Sequence, residues 1–263
     1  MRLRDPCVRL DRERSMSEFR ICGLVPTYDN PRTIREVVNR VRAHLPDVIV
    51  VDDGSADPGR IAVEALARDG LARVLRRSRN GGKGAAVKDG LRFAAELGFT
   101  HCLQIDADGQ HDAGDIPRLV DASRTRPEAL ILGQPMFDDS APSLRRKARL
   151  ISRSLTDLQT GKRVIQDPLC GFRVYPVQPA IAVIGARGCG DRMDFDIEIA
   201  VRMIWNGCPV VNVPTLVRYL TAAEGGVSHF RMVRDNLLIS WAHTTLCTGA
   251  LARLITGRPL RAA

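Results

Sequence analysis

Aromatic side chains are scarce in this chain: Phe, Trp and Tyr together make up 5 % of it. Single-stranded nucleic acid is usually held on aromatic stacking platforms, and no RNP-like motif is present. Nucleic acid is therefore not the expected partner. The seven cysteines (Cys7, Cys22, Cys102, Cys170, Cys189, Cys208 and Cys247) include no C-x-x-C pair. That excludes a zinc ribbon or finger. Their odd number and wide spacing also argue against a disulfide scaffold and for a reducing, cytoplasmic compartment. No uninterrupted apolar run reaches the roughly 18 residues of a membrane span. The nearest, Asn236 to Ile255, is broken by Trp241, His243, Thr244, Thr245 and Arg253. It reads as a C-terminal helix that either packs on the domain or lies on a membrane surface. Residues 1–20 mix Arg2, Arg4, Arg9, Arg12 and Arg14 with acids and lack the apolar core of a signal peptide. They are expected to form a flexible tail. No internal repeat or low-complexity segment is present.

The rest of the composition is that of a globular protein, 44 % apolar and 26 % charged. A length of 263 residues suits one large α/β domain with tails. Lys and Arg number 39 against 30 for Asp and Glu, a net charge of +9. Such an excess calls for an anionic partner: a nucleotide, a phosphorylated substrate or a phospholipid surface.

Apolar runs and helical spacings alternate along the first half. Ile21 to Pro26, Val48 to Val51, Ala72 to Leu75, Cys102 to Ile105 and Ala129 to Leu132 read as strands. Ile34, Val37, Val38, Val41 and Leu45 follow helical spacing, as do Val87, Leu91, Ala94 and Ala95. Gly59 to Arg68 and Asp115 to Thr125 complete the helices. This alternation predicts a mostly parallel sheet flanked by helices. The second half is less regular, with strands expected over Gly171 to Tyr175 and Val210 to Val217. Ligands of such sheets bind beyond the carboxyl ends of the strands. Polar clusters sit at those ends: Tyr28-Asp29-Asn30, Asp52-Asp53 and Asp106-Ala107-Asp108.

Asp106 and Asp108 flank one residue just past a strand. Two carboxylates so spaced can hold Mg2+ or Mn2+, which take one or two carboxylates plus substrate phosphates. Gln110 can add a neutral oxygen; His111 is a weaker candidate. Asp52-Asp53-Gly54-Ser55 suits a helix-capping turn, a carboxylate that accepts N–H bonds from a base or ribose, or both. Asn80-Gly81-Gly82-Lys83-Gly84 departs from P-loop spacing, but its glycines let an anion approach a helix start and Lys83 adds charge. Between Leu144 and Arg163 seven basic residues face a single acid, Asp157. At helical spacing Arg145, Arg149, Ser152 and Arg153 share a side suited to phosphate.

In that order these motifs resemble the family 2 glycosyltransferases of the GT-A fold, and most the branch of dolichol- and polyprenyl-phosphate sugar synthases. Gln166 to Arg173, Phe195-Asp196-Ile197-Glu198 and Gly226-Val227-Ser228-His229 extend the resemblance to about Phe230. It implies a single GT-A, Rossmann-like catalytic domain over residues 21–230 and a helical, membrane-associated extension over 231–263. It implies a UDP- or GDP-sugar donor, with Pro26, Tyr28 and Asp53 lining the nucleoside pocket and Lys83 nearby. Asp106, Asp108 and Gln110 would hold the metal. Arg149 and Ser152 would contact phosphate, and Asp167, Arg173 and Glu198 would lie on the acceptor side. The sequence departs from the family pattern in Asp29-Asn30, where Asn-Glu is usual, in Ala223, where Arg is frequent, and in lacking a C-terminal pair of transmembrane helices.

The implied reaction is an inverting hexosyl transfer to a lipid-linked, polyprenyl-phosphate or other hydroxyl or phosphate acceptor. A hydroxyl acceptor needs a general base: Asp196 is the first candidate, then Glu198 and Asp167. A phosphate acceptor can dispense with one. Two other readings compete. A sugar-nucleotide nucleotidyltransferase would need a Gly-rich basic loop where Thr27 to Asn30 stand. A non-catalytic binder of polyanions or membranes would have little use for three acidic clusters. Arg231, Arg234, Arg253, Arg258 and Arg261 suit an anionic membrane face and a peripheral place on it.

Overall fold

A computed structural model describes residues 18–137, 143–187, 189–218 and 230–260. Ala223 and the Gly226 to His229 motif lie outside these residues, as does most of the N-terminal tail. Seven strands form one sheet: β1 (Ile21–Thr27), β2 (Val48–Asp52), β3 (Arg73–Arg76), β4 (His101–Gln104), β5 (Leu130–Phe137), β6 (Arg173–Pro176) and β7 (Val210–Val217). Their order is β3-β2-β1-β4-β6-β5-β7.

Strands β1 to β4 pair in parallel, and β5 pairs in parallel with β7. Strand β6 runs antiparallel to both its neighbours, β4 and β5. The sheet is thus mostly parallel, as its alternating pattern predicted, with one reversal. The chain between β5 and β6 stays at the edge where β4 and β5 end, so β6 enters the sheet from that edge. Gln104 at the end of β4 therefore pairs with Arg173 at the start of β6.

Eight helices flank the sheet among the described residues: α1 (Ile34–Arg42), α2 (Gly59–Arg68), α3 (Lys83–Glu96), α4 (Ile116–Thr125), α5 (Ser143–Thr160), α6 (Val177–Arg187), α7 (Phe195–Trp205) and α8 (Met232–Ile255). Successive strand side chains point to opposite faces, and both faces are covered. Leu24, Ile49 and Val51 pack towards α3, α6 and α7. Val25, Val48 and Val50 pack towards α1, α2 and α4. Helix α1 buries Ile34, Val37, Val38 and Val41, the stripe read from its spacing. Pro31 lies in the turn before it. Helix α3 approaches β1 through small residues; a Cβ on Gly90 would lie 2.3 Å from Leu24 Cδ1. Helix α7 is buried over nearly all its length, Trp205 included. That fits a helix apolar on every side.

Candidate active site

The ends of four strands and the entrance of a fifth converge on one cavity of about 650 Å³. Pro26, Thr27, Tyr28 and Asn30 follow β1, and Asp53 follows β2. Asn80, Gly82 and Lys83 follow β3, while Asp106, Asp108, Gln110 and His111 follow β4. Leu169 to Gly171 arrive from the chain that leads into β6. Arg149 and Ser152 of α5, Arg192, Asp196 of α7, and Arg231 and Arg234 at the start of α8 complete the walls.

Lys83, the first residue of α3, is the electrostatic centre. Its Nζ lies 2.8 Å from Asp106 Oδ1 and 3.0 Å from Asp196 Oδ2. Burial would pull its ammonium pKa down, but the two carboxylates outweigh burial and raise it, so Lys83 is charged. Burial likewise pushes Asp106 up, and Lys83 with His111 more than reverses this, holding it well below the usual carboxylate range. The approach of Lys83 to Asp106 needs a glycine at 171. A Cβ there would stand 2.4 Å from Lys83 Nζ and 2.5 Å from Asp106 Oδ2.

Asp196 is 3 % exposed and caught between two cations. Opposite Lys83, the wholly buried Arg173 donates from Nη1 to the Asp196 carbonyl at 2.6 Å and approaches its carboxylate at 3.8 Å. Arg173 also donates to the carbonyls of Cys170 at 2.5 Å and Pro168 at 2.7 Å. One guanidinium thus ties the segment before β6 to the first turn of α7.

Asp108 accepts the Gln110 backbone N–H at 3.0 Å. Burial, then the neighbouring charge of Asp106, raise its pKa. A carboxylate whose ionised form is disfavoured in this way is relieved by a cation. The donor set fits a hard divalent ion: two carboxylates and the Gln110 amide face one cavity. Among the described residues no cluster of three or more His, Cys, Asp or Glu closes a cage of its own. Such an ion would keep positions for substrate oxygens.

Asp53 lines the cavity, but its oxygens already accept the N–H groups of Gly81 at 2.9 Å and Gly82 at 2.6 Å, and Arg77 also bonds to it. It shapes the glycine turn in which Gly82 has φ of 107°. Asp52 holds the turn after β2, accepting Ser55 N–H at 3.0 Å; it does not cap the next helix, which starts at Gly59 behind Pro58 without a side-chain cap bond. The sequence does not single out Arg77, because nothing in the run Arg76-Arg77-Ser78-Arg79 distinguishes it from its neighbours.

The other two candidate bases do not line the cavity. Both Asp167 oxygens accept from Arg149 Nη1 at 2.7 Å, and one also takes Leu169 N–H at 2.9 Å. Glu198 accepts Gly190 N–H at 2.7 Å and pairs with Arg202 at 3.4 Å, fastening the loop before α7. Of the three, Asp196 alone faces the cavity. Arg149 and Ser152 lie on its wall; the side chain of Arg145 is outside the described residues. Arg192 is a cation of the wall that the sequence motifs did not mark, and Arg231 and Arg234, read from the sequence as part of a membrane face, line the cavity as well.

This sheet, with its paired carboxylates beyond β4, is the GT-A glycosyltransferase architecture. Glucosyl-3-phosphoglycerate synthase from Mycobacterium tuberculosis, crystallised with uridine diphosphate, superposes with a TM-score of 0.66. It shares 17 % identity over 94 % of this chain and 86 % of its own. The chain belongs to glycosyltransferase family 2, whose model, Glycosyl transferase family 2, matches residues 23–183. It is similar to polyprenol monophosphomannose synthase of Mycolicibacterium smegmatis, 32 % identical over 78 % of each chain. Undecaprenyl-phosphate mannosyltransferase of Micrococcus luteus is 29 % identical over 74 % of this chain and 82 % of its own. Family membership displaces the nucleotidyltransferase and polyanion-binder readings. Among the described residues no helix is long and apolar enough to cross a membrane.

Proposed function

We propose that the cavity takes a nucleoside-diphosphate sugar together with Mg2+ or Mn2+ and transfers the sugar, with inversion, to a polyprenyl-phosphate acceptor. The observation that carries this reading is the meeting of Asp106, Asp108 and Gln110 with Lys83 and several arginines in one cavity at the strand ends. The names of the relatives, which specify polyprenyl and undecaprenyl phosphates, support the acceptor class. The solved neighbours with uridine diphosphate and Mn2+ are consistent with the donor and the metal.

Asp106, Asp108 and Gln110 would hold the cation, which supplies positive charge against the leaving diphosphate. Lys83 adds a fixed positive charge beside them, preorganised by Asp106 and Asp196 so that it need not reorient during transfer. Pro26 and Tyr28 form the nucleoside wall, and Asp53 sets the loop that closes it. Arg149 and Ser152 offer donors to an acceptor phosphate from the opposite wall. A phosphate monoester acceptor is already anionic and attacks without a base. Asp196, 3.0 Å from Lys83 and 3.8 Å from Arg173, then serves to hold Lys83 in place. The protein would work peripherally, at the surface of the membrane that carries its acceptor.

The test is a thermal-shift panel of UDP- and GDP-sugars with and without Mn2+, followed by transfer to polyprenyl phosphate. Metal-dependent stabilisation by one nucleotide class and sugar transfer to the lipid phosphate are expected. Stabilisation by no donor would refute the donor half. Transfer to a plain prenyl alcohol, and none to the phosphate, would refute the acceptor half.

A further inference from the structure

At the β3 edge of the sheet a second cavity, of about 430 Å³, lies between the chain that leaves β3 and one side of α3. Ligand pockets run from roughly 300 to 1,000 Å³, so a small molecule fits. This cavity shares no lining residue with the active one.

Its lining is basic. Arg76, Arg77, Arg79 and Arg92 stand against Asp89 and Glu96. Arg76 is committed outside the cavity, to Asp52 at 3.3 Å, Glu64 at 3.2 Å and the Ser55 carbonyl at 3.0 Å. The other three arginines keep donors to spare. Among the described residues the Arg79 side chain makes no hydrogen bond or ion pair. Arg77 bonds through Nε and Nη1, leaving Nη2, and Arg92 bonds through Nη1 alone. Asp89 does not cancel them. Its carboxylate is already taken by Arg77 at 2.8 Å and Arg92 at 3.1 Å, and so holds the two guanidiniums side by side. Glu96 stands two turns further along α3, about 10 Å away. Guanidinium groups bind phosphate through paired N–H bonds, and three of them here have N–H groups to give. Leu75 and Phe93, both half-buried, add an apolar wall for a carbon body attached to that phosphate.

Arg77 joins the two cavities. Its Nε holds Asp89 in this one. Its Nη1 holds Asp53, which carries the Gly81 and Gly82 N–H groups at the nucleoside wall. A Cβ on Gly81 would run into the same guanidinium. A phosphate dianion drawn to Nη2 competes with Asp53 for this one positive charge and loosens the glycine turn.

We propose that this second cavity binds a phosphorylated small molecule, and that its occupation weakens donor binding through Arg77 and Asp53. The site stands apart from the reading of the active cavity; only its effect on the donor rests on that reading.

The test titrates the full chain with glucose 6-phosphate, a dianionic phosphate on a compact body, in a calorimeter. One site is expected. The double variant Arg79→Ala, Arg92→Ala should bind the probe about tenfold more weakly or worse. Both residues are exposed and away from the active cavity, so without the probe this variant should keep the parent's Tm and transfer rate. Saturating probe should weaken the Mn2+-dependent binding of UDP or GDP by about fivefold and then level off, and the nucleotide should weaken the probe by the same factor. Donor KM should rise with kcat unchanged, and the double variant should show neither effect. No binding by the parent, or undiminished binding by the double variant, would overturn the proposal. So would a nucleotide affinity that keeps falling without limit, since the probe would then be entering the active cavity. Probe binding that leaves nucleotide affinity untouched would overturn the link through Arg77. Absence of any nucleotide binding would count against the reading of the active cavity and not against this site, which the probe titration measures alone.

Discussion

Replacing Gly171 by Ala tests the centre of the site with a single methyl group. The added carbon would stand 2.4 Å from Lys83 Nζ and 2.5 and 2.7 Å from the Asp106 oxygens. Comfortable contacts of this kind lie near ~3.5 Å, so the ammonium and carboxylate must retreat by about 1 Å. The atoms met first are side-chain ends rather than backbone, so the fold absorbs the change. Overpacking of about 1–3 kcal/mol is partly offset by the ~0.4–1 kcal/mol gained from a stiffer unfolded chain. A misplacement of about 1 Å in a reacting constellation costs roughly 100-fold, or about 2.7 kcal/mol in the barrier. The assay pairs a melting curve with calorimetric titration of UDP and of GDP in Mn2+, and with transfer rates. The expected result is a Tm within several degrees of the parent and a loss of about two orders of magnitude in kcat/KM. Full turnover in a normally folded Gly171→Ala protein would refute the argument that Lys83 and Asp106 must meet there. Lys83→Met provides the second measurement if the alanine protein does not fold, and should lower turnover at least as far.

Three further outcomes are expected. Asp108→Asn should remove the Mn2+-dependent part of nucleotide binding while slightly raising the Tm in chelator, because it deletes a carboxylate that burial and Asp106 both oppose; unchanged metal dependence would refute the metal assignment. His243 is buried between α5 and α8, where Gln159 Nε2 lies 3.1 Å from its Nδ1, and burial pushes its pKa down to about 4. The unfolded imidazole takes its proton near 6.5, so between those values the unfolded chain binds more protons. Stability should be full above pH 6.5 and fall by about 3 kcal/mol as pH drops towards 4; His243→Gln should flatten that part of a urea-midpoint profile. Gly185 in α6 has open space where a Cβ would go, so Gly185→Ala should stabilise by up to about 1 kcal/mol in the same urea assay.

Much of this molecule was legible in its residues. The β-branched run Val48 to Val51 and the spacing from Ile34 to Val41 reflect burial on two faces and on one, and burial leaves a period in the sequence. The reversal of β6 was not legible, because Arg-Val-Tyr-Pro carries no mark of direction. The three candidate bases show a different limit. Asp196 and Glu198 are two apart, and in a helix that separates them by about 200°. Once α7 starts at Phe195, only one of them can face the cavity. Asp167 was lost to the cavity through partners distant in sequence, since the claim of Arg149 on it becomes visible only when α5 is placed.

The single antiparallel strand has a consequence for how such a site can change. Strands β1, β2 and β4 contribute the loops that leave them, whereas β6 contributes the loop that enters it. Residues 161–163, exposed at the start of that loop, can therefore lengthen, shorten or reshape without altering the loops after β1, β2 or β4. From Ile165 onwards that freedom stops, since Asp167 is held by Arg149, the Pro168 and Cys170 carbonyls by Arg173, and Gly171 admits Lys83. Upstream of these ties lies a replaceable segment on a fixed charged floor. Exchanging it between relatives should alter the partner at that wall while leaving the opposite wall intact.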